Sequence, residues 1–218
     1  MTKSIAFILA AFIGASAFAQ EPAAALFAGT SLLHAAQTLP EELVQRVSGE
    51  VIESVKADKA IQAGDFKKII ALVDEKIAPH LNFQRMTASA VGRSWRQATP
   101  EQQKRLQEEF KTLLVRTSAG ALTQVRDHNV VMRPMRSKPE DTEVVVRTQL
   151  KGSGEPIQLD YRLEKVESKW QVYDVYVRGV WLVDNYRSSF AQEISAGGID
   201  GLIAKLTERN KTAANAMP

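Results

Sequence analysis

Apolar residues in the first half of the chain recur at three- and four-residue spacing. Leu43, Val44, Val47, Val51 and Val55 form one such stripe behind Pro40, a residue suited to a first helical turn. A second stripe, Phe66, Ile69, Ile70, Val73 and Ile77, follows Asp65 as N-cap and ends near Pro79. Asn82 can cap a short third helix bearing Phe83, Met86 and Val91, which stops at Gly92. The fourth begins at Thr99-Pro100, with Gln102 completing a capping box and Leu106, Phe110, Leu113 and Leu114 as its buried face. Glu101, in its first turn, meets the positive end of the helix dipole.

Beyond Asn129 the period changes to two. Residues 142–150 and 156–163 alternate around the turn "KGSGE", with Val144, Val146 and Leu150 on one row and Ile157, Leu159, Tyr161 and Leu163 on another. Residues 129–135 read as a further strand, placed at an edge by Pro134. From Trp170 a longer strand carries an unbroken apolar row, Tyr173, Val175, Val177, Gly179, Trp181 and Val183. Its other row mixes Asp174 and Arg178 with Val172, Tyr176, Val180 and Leu182. Helical spacing returns after Asn185, with Asp200 as N-cap of a last helix. This order predicts an α+β fold, in which helices cover one face of a curved antiparallel sheet of about four strands. Such packing leaves a cone between the layers, and its apolar lining can be a dry core or a ligand pocket.

The first residues follow a different rule. Lys3, the apolar run 5–19 and Ala17-Phe18-Ala19 make a secretory signal peptide with cleavage after Ala19. A membrane anchor would need roughly 20 apolar residues. An Ala-rich leader is expected over 20–38, a single domain over 39–208 and a tail over 209–218. The chain has 218 residues and no cysteine, so it forms no disulfide and carries no lipid on a thiol. Loss of Lys3 lowers the formal charge from +3 to +2, which gives nucleic-acid binding no support.

Catalytic chemistry finds little footing. His34, His80 and His128 share no motif, "KGSGEP" joins two strands rather than a strand and a helix, and "PED" lacks calcium-loop spacing. No catalytic residue, metal ligand or cofactor is assigned. Asp160 and Asp174 are the acid/base candidates for a cone-fold isomerase, although alternation turns both away from the apolar rows, as solvated or ion-paired carboxylates. A packed periplasmic adaptor is the other alternative.

Three long stretches carry a family resemblance. "NFQRMTASAVGRSWRQATPEQQKRLQEEFKTLLVRT", "YDVYVRGVWLVDNYRSSFAQEI" and "GGIDGLIAKL" together resemble the periplasmic toluene-tolerance, MlaC-type phospholipid carriers, across most of residues 40–208. The resemblance implies a cone related to the nuclear-transport-factor fold, acyl chains held in its pocket, and no chemistry on the lipid. It implies exchange with an outer-membrane lipoprotein–porin complex and with an inner-membrane Mla transporter through its periplasmic substrate-binding subunit. The lining residues expected on this reading are Phe83, Met86, Leu113, Val144, Val146, Leu159, Tyr161, Val175, Val177, Trp181 and Tyr186. Arg93, Arg96, Arg178 and Arg187 are expected to dock partners. Arg178 and Trp181 depart from the family pattern, which commonly has Glu and Ser there, so Trp181 is expected to fill part of the pocket.

Overall fold

The computed structural model describes residues 39–138 and 140–215. The expected signal peptide, the leader with His34 and the last three residues lie outside the described residues. Helix α1 (Pro40–Ala57) opens with Pro at N1 and Glu41 and Glu42 in its first turn. Asp58 ends it and caps the single turn α2 (Lys59–Gln62), accepting from the N–H groups of Ala60 and Ile61. Asp65 caps α3 (Phe66–Leu72), which loosens into a π turn at Val73–Ile77 before Pro79. Asn82 caps α4 (Phe83–Val91), and Gly92, at φ 68°, ends it. Helix α5 (Pro100–Thr123) carries the capping box of Thr99 and Gln102. The terminal helix α6 (Leu182–Asn215) breaks at Gly198, where φ is 68°. Asp200 lies just past this break, and its carboxylate accepts from the Gln102 side-chain amide at 2.9 Å, linking α6 to the start of α5. The tail expected from 209 continues α6 to Asn215, and Asn210 is buried, donating to the Glu109 carbonyl.

Five antiparallel strands follow chain order: β1 (Asn129–Met132), β2 (Glu143–Lys151), β3 (Ile157–Val166), β4 (Lys169–Val177) and β5 (Val180–Trp181). The edge placement of β1 agrees with Pro134. Register puts Val144 opposite Leu163, Val146 opposite Tyr161 and Leu150 opposite Ile157, so the two expected rows are one face of the sheet. We call this the inner face.

The long strand expected from Trp170 to Val183 is interrupted twice. Leu163 pairs with Val172 and Arg162 with Asp174, which leaves Tyr173 as a bulge without an opposite residue. After Val177 the chain reverses through Arg178-Gly179, with φ of 51° and 89°, and Val180 pairs back on Val177. Two central residues with positive φ mark a type I′ hairpin, which matches the natural twist of paired strands. The apolar row therefore divides between the faces. Val175 and Val177 are inner, joined by Val172 of the mixed row, whereas Tyr173 and Trp181 are outer.

Apolar side chains gather in three clusters. Leu43 and Val44 of α1 cover the inner face at Val144, Val146, Leu163 and Val172. The other end of α1, Val51 and Val55, packs with α2, α3 and Ala119 of α5. A third cluster joins α4, α5 and α6 around Phe110, Phe190 and Leu206. Phe110 meets the rings of Tyr186 and Phe190 edge-on, each at 5.1 Å between centroids.

Candidate functional site

The first two clusters do not close on each other. Midway along α1, where the helix leaves the sheet for the helical layer, a cavity of about 210 Å³ remains. Val47, Ser48, Val51 and Ile52 supply its α1 wall, and Leu150, Leu159, Tyr161 and Val175 its sheet wall. Ile77 of the π turn, Leu122 near the end of α5 and Val125 complete it. The stripe of α1 aims the first set, and the period of two along β2–β4 aims the second.

The polar atoms of this lining side-chain set are two hydroxyls. Ser48 Oγ and Tyr161 Oη stand 3.5 Å apart across the cavity. Burial pushes the Tyr161 phenol up to about 12, reinforced by the Asp160 carboxylate and opposed by the Ser48 contact. The phenol therefore stays protonated at neutral pH and retains its capacity to donate. Tyr161 is the titratable member of the lining, so the cavity offers no base that works near neutrality.

Asp160 and Asp174 lie on the outer face, and both are buried rather than solvated. Asp160 accepts from the Thr148 N–H and the Gln158 amide. Asp174 accepts from the N–H groups of Val175 and Val183 at 2.9 and 3.0 Å and from Arg162 at 3.0 Å. Burial raises the Asp174 pKa above the usual range, while these donors pull the other way. Its role is to tie β3, β4 and the start of α6 together. Arg162 also pairs with Asp184, and its guanidinium lies 3.9 Å from the Trp181 ring centroid.

Of the eleven expected lining residues, Leu159, Tyr161 and Val175 meet at the cavity. Val177 shares their face, opposite Leu159. Val144 and Val146 share it too but lie under α1. Phe83, Met86, Leu113 and Tyr186 belong to the α4–α5–α6 cluster instead. Trp181 is corrected to the outer face, where it meets Arg162 and, at 5.4 Å, the Tyr176 ring. The I′ turn moves it there, since reversing the chain ends the alternation that aimed it inward.

The four arginines are exposed but not gathered. Arg178 occupies the hairpin tip just past Val177, at the cavity's end of the sheet. Arg93 and Arg96 lie on the 3₁₀ turn after α4, and Arg187 donates from Nε to the Ser89 carbonyl. No element carrying these three lines the cavity. Sequence reasoning missed Val47, Ser48, Val51, Ile52, Ile77, Leu122, Val125 and Leu150 as lining residues, although Val47, Val51, Ile77 and Leu150 were on its apolar stripes and rows. The α1 stripe was visible, but periodicity identifies a buried face without saying whether protein fills the space opposite.

The MlaC protein family profile matches residues 45–208. A phospholipid-binding protein from Ralstonia solanacearum, solved in complex with a phospholipid, superposes with a TM-score of 0.77 and 44% identity. The match covers 80% of this chain and 98% of that one. The Pseudomonas putida toluene tolerance protein Ttg2D is 24% identical over 87% of this chain and 92% of its own. The MlaC binding protein of the Haemophilus influenzae intermembrane phospholipid transport system is 21% identical over 79% of this chain and 83% of its own. Helices, sheet order and cavity thus occur within a sequence that matches one family from Gln45, in the second turn of α1, to Glu208 of α6, and the chain belongs to the MlaC protein family.

Proposed function

We propose that this protein is a periplasmic phospholipid carrier that holds acyl chains between α1 and the inner face of the sheet and performs no reaction on them. The observation that carries this reading is the cavity itself, apolar on every wall apart from Ser48 and Tyr161, in a chain of the MlaC family. The phospholipid bound by the Ralstonia solanacearum protein supports the same cargo here. A cavity of about 210 Å³ is smaller than the roughly 300–1,000 Å³ of sites for drug-sized ligands. Entry of acyl chains would therefore need the walls of the cavity to move apart. An isomerase reading would need a carboxylate in the cavity, and Asp160 and Asp174 face the other way.

Export by cleavage after Ala19 would deliver the domain to the periplasm. There it would exchange lipid with an outer-membrane lipoprotein–porin complex and with the substrate-binding subunit of an inner-membrane Mla transporter. Among the described residues no helix is long and apolar enough to cross a membrane. Two acyl chains contain about 30 methylenes, each worth about 0.8 kcal/mol on burial, so the gross gain is on the order of 20 kcal/mol. Escape into water should then be very slow, and release should need a partner that offers another apolar path. The test is mass spectrometry of an organic extract of protein purified without detergent. Stoichiometric phospholipid is expected, and its absence would favour a packed adaptor.

A further inference from the structure

A second cleft, of about 490 Å³, lies beside β2 and opens toward the outer face. It exists because β1 pairs with only the second half of β2. Their register runs to Met132 opposite Thr148, and one more bond joins the Arg133 N–H to the Arg147 carbonyl at 2.9 Å. At Pro134 the chain leaves the ladder without regular structure. Continued register would set Met135 opposite Val145, but no backbone hydrogen bond joins these residues.

Alternate residues of an antiparallel strand direct their N–H and C=O groups to alternate neighbours. Arg147 bonds toward β1, and the Thr142 carbonyl accepts from the β3 side, from the Lys165 N–H at 2.8 Å. The main-chain groups of Glu143 and Val145 therefore point into the cleft, where they have no backbone partner among the described residues. Free main-chain groups along a sheet edge are a template for an added strand.

The side chains define what that strand should carry. Arg136 and Arg147 line the cleft, and Arg133 stands opposite Arg147 in register. All three are exposed, and no carboxylate pairs with them among the described residues. The acidic groups nearby are already engaged. Asp141 accepts from the Lys138 N–H at 2.8 Å, and Glu143 accepts from Arg85 at 2.7 Å and from the Tyr173 hydroxyl. Met135 and Val144 supply the cleft's apolar side.

We propose that this cleft receives an extended acidic segment of a partner protein, added as a strand beside Glu143–Val145. Alternate side chains of the segment would be carboxylates facing Arg133, Arg136 and Arg147, with apolar residues between them packing on Met135 at the cleft's inner rim. No residue of the 210 Å³ cavity takes part, so the inference stands apart from the identity of the cargo.

The probe is a six-residue peptide, alternating Glu and Val with blocked ends, added to the mature protein with its cargo in place. Amide exchange at Glu143 and Val145 should slow by about tenfold or more at saturation, because free amides gain acceptors. Val145→Pro removes an N–H that faces the cleft rather than β3, so the fold should hold and affinity should fall by about fivefold or more. Arg133→Glu with Arg147→Glu should abolish binding of this peptide and admit its Lys-Val counterpart. Unchanged exchange at both amides, or equal affinity for the Val145→Pro protein, would overturn the proposal. So would binding of phosphatidylglycerol vesicles through these arginines without binding of the peptide.

Discussion

Tyr161 sets the polarity of the cavity at the scale of one residue. Its phenol, pushed up to about 12, is neutral wherever the fold is normally studied. In the unfolded chain the same group ionises near 10. The sign follows from linkage: the folded state holds this proton more tightly, so the contribution is complete below the unfolded pKa and is lost as pH rises through the folded one. Tyrosinate absorbance should show Tyr161 ionising together with alkaline unfolding between pH 10 and about 12. Tyr161→Phe should remove that step and leave lipid bound, because the ring still fills the wall. An unchanged alkaline profile in the variant would show that the phenol is not shielded. Trp181 gives the opposite lesson. As it covers Arg162 on the outer face, Trp181→Ser should cost about 1–2 kcal/mol in lost stacking while lipid content stays constant. Thermal melting with lipid mass spectrometry reads both, and a rise in bound lipid would place the indole in the pocket after all.

The decisive element is α1, which is shared by two clusters and leaves its middle facing a cavity. Val47→Trp should occupy that space from the helix side, keeping the fold while lowering the lipid recovered on purification. Equal lipid stoichiometry in variant and parent would count against the cavity as the acyl site. The α4–α5–α6 cluster should behave as core instead. Phe110 is fully buried among Tyr186 and Phe190, and Phe110→Ala should cost about 3–5 kcal/mol in denaturant unfolding. Helices α3, α4 and α5 were legible from their stripes and caps, since Asp65, Asn82 and Thr99 cap as their side chains require. The register of β4 was not, because a bulge and an I′ turn change the facing of later residues without altering which residues are apolar.

Across the whole molecule, the cavity and the four arginines expected to dock partners fall to different surfaces. The cavity lies inside α1 and the sheet, whereas Arg93, Arg96 and Arg187 lie around α4 and α6 and Arg178 at the hairpin tip. If these arginines steer encounters, reversing their charge should slow lipid transfer to a partner, more so at low salt, and leave bound lipid unchanged. Transfer assays between purified carrier and acceptor vesicles bearing the partner would measure this. Equal rates for the parent and the fourfold reversal would remove the steering role.

The sequence by itself determined helices α1, α3, α4 and α5, the α+β order and the edge position of β1. Those properties depend on spacing, caps and the missing N–H of a proline, all of which are local. Long motifs also carried the family, because they record many contacts at once. Tertiary structure alone decided where space remains. Leu113 and Leu159 are equally apolar in the chain, but one packs among three helices and the other faces a cavity. Trp181 reads as inward until the turn at Arg178-Gly179 reverses the strand beneath it. An apolar residue records only that water is excluded from its surroundings, and what excludes it depends on elements brought together from distant parts of the chain.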